Sequence, residues 1–515
     1  MLPLPLRIVI VGGGSAGWMC AAAFAKVLHP QRYSVTLVES EEIGTVGVGE
    51  ATLPALRDFN ELLGLDEAQF LRETQGTFKL GIEFRDWDVP GAHYVHPFGA
   101  FGELWGGVEF QHFWLRARQQ GLGAAPFEEY SCAVRACRRN AFEFPAAGQP
   151  ASTTYSYAYH FDAGRYADFL RRWAWARGVT RVEGQVVDVG LDAQGNIDTL
   201  TLKSGQRLDG DFFVDCSGFR SLLLGDRLEV GWEDWSHWLP CDRAWAVPCV
   251  RSEDFTPFTR STARPGGWIW RIPLQHRTGN GHVFSTKYIS EDEARATLMD
   301  ALDGQPLDEP RMLRFKAGRR TQAWKRNCVA LGLASGFLEP LESTSLFLIQ
   351  KAIQDVLRLL PGADTPEASR RSVDERLVRE FNRLSDALYD RIRDFLILHY
   401  TVNRRVGEPL WDHVRGYPLP ESLVHKLALF RCRGHVPYFK DGFFSRDSWL
   451  AVAFGQGLTP LAYDRLADFL PREQLADKLR ELHARVQSQV AGMSSHADVV
   501  RRLCGDPAPA RKVAT

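Results

Sequence analysis

The sequence predicts an α/β fold with an antiparallel β-sheet region and a mainly helical C-terminal region, packed as one unit. Three observations carry that expectation. A strand-like opening runs into Gly12-x-Gly14-x-x-Gly17, turn-punctuated β-rich segments fill Trp245 to Tyr288, and apolar residues recur at spacings of four and three from Ser372 onward.

The first element reads as a strand over Arg7 to Val11, followed by the loop Gly12-Gly13-Gly14-Ser15-Ala16-Gly17, a small-residue helix from Trp18 to Val27, and a second strand from Ser34 to Val38 that ends at Glu39. Glycines here let the backbone approach a pyrophosphate at a helix N-terminus, and Glu39, 22 residues past Gly17, accepts from a ribose hydroxyl. This is the Rossmann unit. Gln185 to Val189 and Thr199 to Lys203 read as strands joined by the Asp192-Ala193-Gln194-Gly195-Asn196 turn, and the apolar stretch from Asp211 to Gly218 reads as a return to the nucleotide sheet. In the β-rich region Thr278-Gly279-Asn280-Gly281 reads as a turn, while Trp268 and Trp270, two apart, share one face.

The helical pattern that follows carries Val373, Leu377, Phe381, Leu384, Leu388, Ile392 and Phe395 behind a Ser372-x-x-Glu375 capping box, and a second stripe carries Leu475, Leu479, Leu482, Val486 and Val490. Both stripes read as core. The expected organisation is a nucleotide-binding domain over 1–360 that includes the antiparallel sheet at about 225–325, a helical substrate-side region over 361–505, and a disordered tail over 506–515.

Composition narrows the function. The 515 residues are 45 % hydrophobic and 24 % charged, and 62 basic against 63 acidic residues leave a net charge of −1, so no global field favours nucleic acid or an anionic membrane. A small-molecule partner is expected. Nine scattered cysteines without a Cys-x-x-Cys pair or zinc-like His spacing point to a reducing, cytoplasmic setting and no metal. No run of eighteen apolar residues is present for a transmembrane helix, and the apolar start, Leu2 to Val11, lacks a basic leader and reads as the first strand.

Four further segments accompany the glycine loop: Gly47-Val48-Gly49-Glu50-Ala51-Thr52, Phe78-Lys79-Leu80-Gly81-Ile82, Gly267-Trp268-Ile269-Trp270-Arg271-Ile272-Pro273, and Phe337-Leu338-Glu339-Pro340-Leu341-Glu342-Ser343-Thr344. In this order the five motifs resemble the flavin-dependent halogenases of the tryptophan/indole halogenase family. The resemblance implies FAD, used as FADH2, with halide ion as co-substrate, a separate flavin reductase as partner, and often a homodimer. It implies halogenation of an indole or another electron-rich aromatic through a flavin hydroperoxide and hypohalous acid. The cofactor-binding residues it implies are Gly12, Gly13, Gly14, Ser15, Ala16, Gly17, Glu39, Gly49, Ala51, Val186, Leu333 and Leu346, with Glu50 and Thr52 in a strap linking the flavin and substrate sites.

Lys79 alternates with Phe78 and Leu80, so the residues alone read as a strand with a solvated lysine on its polar face. The resemblance instead implies a catalytic Lys79 between flavin and substrate, acting by hydrogen bonding to hypohalous acid or as a haloamine. Glu342 alone reads as a helix-start acid before the apolar run Leu346 to Leu360, whereas by resemblance it stabilises the ring cation and takes its proton. Thr344 and Ser345 are the implied halide site, His96 and Phe98 the implied substrate contacts, and Trp268 and Trp270 the implied shield, although the tryptophans also read as sheet core and His96-Pro97 as a turn.

Three departures from the pattern stand out. The stretch from Arg431 to Gly457 is short and shows no match to the aromatic and acidic clamp of tryptophan-specific members, Ser345 replaces a common glycine, and Gly332 to Gly336 departs from the Gly-Asp-Ala of related flavoproteins, as halogenases do. The expected substrate is an indole or other electron-rich aromatic in a more open site, with bromide preferred. Competing readings are a flavin aromatic hydroxylase, which needs an NAD(P)H cycle for which no second nucleotide loop is seen, and a noncatalytic FAD-binding protein.

Overall fold

Six successive residues, Leu6–Val11, form the opening strand in the computed structural model, which describes residues 5–42, 49–253, 255–362, 366, 369–437 and 443–505. Gly47 and Val48 of the strap motif and the tail at 506–515 lie outside the described residues. Chain contacts gather into two units, each built from three stretches: Met1–Gln75, Phe161–Ser236 and Phe315–Asp390 in the first, and Gly76–His160, His237–Arg314 and Arg391–Thr515 in the second. This interleaved division differs from the linear boundary expected at 360, because the antiparallel sheet groups with the C-terminal helices.

The first unit contains a sheet ordered Trp324–Lys325, Cys328–Ala330, Phe212–Asp215, Leu6–Val11, Tyr33–Glu39, Thr180–Glu183. All neighbours are parallel except the first two. The opening strand sits between Tyr33–Glu39 on one side and the returning strand Phe212–Asp215 on the other, so the glycine loop leaves it at the point where strand order reverses, the place where open parallel sheets bind nucleotides. Val9, Val11, Val38, Phe213 and Leu223 form a core with Val186, Ile197 and Leu200 of a small antiparallel sheet. The return of Asp211 to Gly218 is therefore observed, over Phe212–Asp215. The helix Ser15–Val27 packs against Ala163–Trp175 and against Ser345–Leu359.

The second unit contains a seven-stranded sheet ordered Arg311–Arg314, Arg243–Cys249, Thr278–Phe284, Gly267–Pro273, Thr259–Arg264, Gly81–Arg85, His93–Pro97. Thr278 to Gly281, expected as a turn, lies inside a buried strand of this sheet. The glycine content has a packing cause: Trp270 stands opposite Gly281, and a Cβ there would come within 2.1 Å of its indole. The segment around Lys79, expected as one strand, is two strands in different sheets. Thr77–Lys79 pairs antiparallel with Ala158 to His160, Gly81–Arg85 pairs with Thr259–Arg264 and His93–Pro97, and the break falls at Leu80, whose N–H donates to Pro257 and whose carbonyl accepts from Phe98.

The long helix runs Glu375–Thr401, and the Ser372 to Glu375 capping box is not its start. Asp374 takes that place: its carboxylate accepts from the Arg376 amide at 2.8 Å and its carbonyl from Leu377 and Val378, a shorter acid closer to the orphan amides. The second stripe behaves as expected, with all five apolar residues buried on the helix Arg472–Ala491. No described helix is long and apolar enough to cross a membrane.

Candidate active site

In the first unit the site is made of backbone. Gly12 has φ +114° and a Cβ on it would lie 2.2 Å from the Cys216 carbonyl oxygen, so only glycine makes this turn. Gly17 is packed against the Gly12 carbonyl, where a Cβ would come within 1.8 Å, whereas a Cβ on Gly14 would meet nothing within 4 Å. Tight turn, close helix packing and an open middle glycine are the three demands of a pyrophosphate cradle. The helix that follows has Gly14 at its N-cap, no side-chain cap and no acid in its first turn, so the amides of Ser15, Ala16 and Gly17 begin it without a capping side chain of their own. These residues fit a dinucleotide.

Glu39 stands over this loop, near enough that a Cβ on Gly13 would strike its carboxylate at 1.5 Å. It is held there by the Trp18 indole N–H at 3.3 Å and by Arg181 Nε at 2.5 Å, a clamp that the sequence reading missed. Asp215 was missed as well: fully buried at the end of its strand, it accepts from the Ser217, Leu223 and Leu224 amides and the Ser217 hydroxyl, fixing the chain behind Gly12. Val186 opens the strand Val186–Leu191 and is buried in the core described above. Gly49 and Ala51 are buried in a short strand. Between them Glu50 is partly buried, and burial, with the Asp162 charge adding to it, pushes its carboxyl up to about 7.

Leu333 lies in the turn Gly332–Ala334, which joins two of these parts: a Cβ on Gly332 would lie 3.1 Å from Ala16 and 3.3 Å from Ile349. Ile349 belongs to the helix Ser345–Leu359, whose first turn includes the buried Leu346 and has no acid. Pro340–Glu342 forms a 3-10 turn, Ser343 takes φ +58° and Thr344 is the N-cap without a side-chain cap bond. Glu342, two residues before the N-cap Thr344 of the helix that begins at Ser345, is fully buried. Thr344 is also fully buried, and its hydroxyl has no hydrogen-bond partner among the described residues. An orphan hydroxyl beside helix N-terminal amides fits a small anion.

In the second unit the site is made of side chains. Lys79 is 0 % exposed, which overturns the solvated reading of its strand position. Burying an ammonium costs several kcal/mol, so a fold that keeps one there is holding it for a purpose or for a partner. Its Nζ lies 5.1 Å from the centre of the Phe98 ring. Phe98 in turn meets His96 edge-on at 6.4 Å, and the buried His96 also packs against Phe395 and Phe444. Lys79, Phe98 and His96, distant in role by sequence, are thus brought into one row.

Two buried histidines pin the lysine strand, and neither was singled out from sequence. His160, opposite Thr77 in the register, bridges the Thr77 hydroxyl at 3.1 Å and the Thr259 hydroxyl at 3.0 Å. Because Thr77 donates its proton to the Pro273 carbonyl, the network assigns His160 Nδ1 as donor and Nε2 as acceptor. Burial, then the Lys79 charge, hold His160 well below the usual histidine range, so it stays neutral. His496 accepts the Phe78 N–H at Nε2, while Nδ1 lies 3.0 Å from the Phe255 carbonyl and donates to it, and burial lowers its value to about 4. Neutral imidazoles can lock this strand without adding charge beside the ammonium.

Trp268 and Trp270 share one face, with centroids 6.3 Å apart, and both are buried. Trp268 also packs against Trp87, which donates to the Ser261 carbonyl, so the pair belongs to an aromatic core. All nine cysteines are free.

Residues 7–472 match the sequence pattern of the family described as tryptophan halogenase. The chain is 35 % identical over 512 residues to the tryptophan 6-halogenase SttH of Streptomyces toxytricini, covering 93 % of this chain and 95 % of that protein. It is 34 % identical over 488 residues to the tryptophan 7-halogenase RebH of Lentzea aerocolonigenes, covering 88 % and 90 %. Among solved structures it resembles Xcc4156, a flavin-dependent halogenase from Xanthomonas campestris, with a TM-score of 0.93, 44 % identity, and coverage of 98 % of this chain and 100 % of that one. BrvH, a flavin-dependent halogenase from Brevundimonas sp. BAL3, gives 0.92 and 42 %, with 97 % and 99 % covered.

Proposed function

Since the chain belongs to the tryptophan halogenase family, we propose that it uses FADH2, oxygen and halide to place a halogen on an indole or another electron-rich aromatic, with FADH2 supplied by a separate reductase. The observation that carries this reading is the burial of Lys79 beside Phe98. Reduced flavin, when bound, would activate oxygen, and oxygen would supply the oxidising equivalents that turn halide into hypohalous acid.

The residues divide the remaining work. Amides of Gly12 to Gly17 hold the pyrophosphate and the Glu39 carboxylate a ribose hydroxyl, with Val186, Gly49, Ala51, Leu333 and Leu346 as further cofactor contacts. The orphan Thr344 hydroxyl and the Ser345 amide hold halide. Lys79 hydrogen-bonds hypohalous acid through its ammonium, a form that the Phe98 ring face favours. The ring carbon takes the halogen, the hydroxide leaving group takes a proton from the Lys79 ammonium to become water, and the Glu342 carboxylate takes the proton that the ring gives up. His96 and Phe98 hold the aromatic ring. Trp268 and Trp270 keep it from direct oxidation.

The test is the product mass. With a separate flavin reductase, oxygen and indole, bromide is expected to yield bromoindole. Oxygen added to the ring without halogen makes the protein a hydroxylase. No turnover with any electron-rich aromatic leaves a noncatalytic flavin-binding protein.

A further inference from the structure

Sheet pairing alone does not fix where Lys79 stands. Its strand, Thr77–Lys79, and the tryptophan strand, Gly267–Pro273, belong to different sheets, so among the described residues no backbone ladder between them places the ammonium relative to Trp268 and Trp270. Side chains make that connection. The Thr77 hydroxyl donates at 2.8 Å to the carbonyl of Pro273, the last residue of the tryptophan strand, and accepts from His160 Nδ1 at 3.1 Å. His160 Nε2 accepts at 3.0 Å from Thr259, the first residue of the strand next to the tryptophan strand.

The same register puts this network beside the lysine. Thr77 and Lys79, two apart, share one face of their strand, and across from them stand His160 and Ala158. The alanine methyl opposite Lys79 leaves room for a long side chain, and the imidazole opposite Thr77 bounds that room. Thr77 and His160 are fully buried and Thr259 nearly so. A histidine closed off from water with both ring nitrogens engaged is held in one orientation, and an apolar residue of its size would fill the space without cross-linking two sheets.

We propose that His160, acting through Thr77, is a positioning residue for Lys79: it fixes the ammonium beside Phe98 and against the tryptophan strand, so that hypohalous acid is passed to the aromatic ring before it escapes. The inference rests on the halogenase reading above and adds a residue to it. His160 exchanges no proton with hypohalous acid and instead holds the strand that carries the group that does. With this clamp released the lysine is still present, but a small displacement of its ammonium lowers transfer to the ring steeply.

The test is a partition measured within one reaction, in which a separate reductase supplies FADH2 and the mixture holds oxygen, bromide, indole and an added cyclic 1,3-diketone. Hypobromous acid that escapes brominates the diketone, whose acidic carbon takes the bromine while the displaced proton and the hydroxide leave as water. A variant that merely folds less well lowers both products together, so the ratio of bromoindole to bromodiketone reports position and not folded amount. The ratio is expected to fall about tenfold in Thr77→Val, which keeps the shape and drops the hydroxyl, and in His160→Phe, which keeps a ring and drops both nitrogens, and to be restored in Thr77→Ser. Where His160→Phe does not fold, the Thr77 pair decides. Bromoindole formed at an unmoved ratio in Thr77→Val overturns the positioning role alone, as does a ratio that falls equally far in Thr77→Ser. No bromination of indole or any other electron-rich aromatic by the unsubstituted protein overturns the halogenase reading, and the positioning role falls with it.

Discussion

The glycine-loop unit and the lysine unit solve opposite problems. The first offers main-chain amides and helix ends to anions, with Gly14 left open and the Thr344 hydroxyl without a hydrogen-bond partner among the described residues, and needs few special side chains. The second buries a cation, Lys79, and surrounds it with aromatic rings and imidazoles held neutral. A backbone site is written in glycine spacing and so shows in the sequence, whereas a side-chain site depends on which distant segments close over it.

The contrast breaks most sharply at Gly12. Gly12→Ala forces a Cβ into a left-handed turn and against the Cys216 carbonyl, so it is expected to cost at least ~3 kcal/mol and abolish FAD binding, read as flavin retained on a desalted sample. Full FAD binding by a folded variant would remove the cradle from the account.

Acidity acts with opposite sign on two buried histidines and on Glu50. His282 and His496 of the second unit have folded values of about 4, below the ordinary 6.5, so the unfolded chain binds more protons between those limits. Their contribution to stability is complete above about 6.5 and is lost as pH falls toward 4, by about 3 kcal/mol for a fully buried histidine. Glu50 of the first unit runs the other way: raised to about 7 from 4.5, it favours the fold at low pH and loses that contribution as pH rises through 7. Melting curves across this range should show His496→Gln flattening the acid limb and Glu50→Gln the neutral limb. A smaller effect is expected at Gly281→Ala, where the new methyl meets Trp270 and the Trp245 carbonyl: about 2 kcal/mol of lost stability by chemical denaturation, with FAD affinity unchanged.

How far the sequence could be read follows the same divide. The first strand, the glycine helix and the strand ending at Glu39 were legible within a few residues, because each step of a Rossmann unit has its own residue requirement. Arg181 and Asp215 were not, since their partners are fixed only by strand pairing. In the second unit, Thr278 to Gly281 carried turn residues for a reason that lives on the neighbouring strand, in the ring of Trp270. Lys79 looked solvated because strand alternation cannot see Phe98 closing on it, or His160 and His496 pinning Thr77 and Phe78 of its strand. The family motif singled out Lys79 where its local pattern did not. The stretch from Arg431 to Gly457 gave only the absence of a familiar clamp.

The measurement that bears most directly on the whole account is bromination of indole by Lys79→Met, a side chain of similar length without the charge, supplied with FADH2 by a separate reductase and scored by mass spectrometry. The account predicts retained fold and FAD binding with bromoindole formation lost. Bromoindole formed at the unsubstituted protein's rate would contradict it.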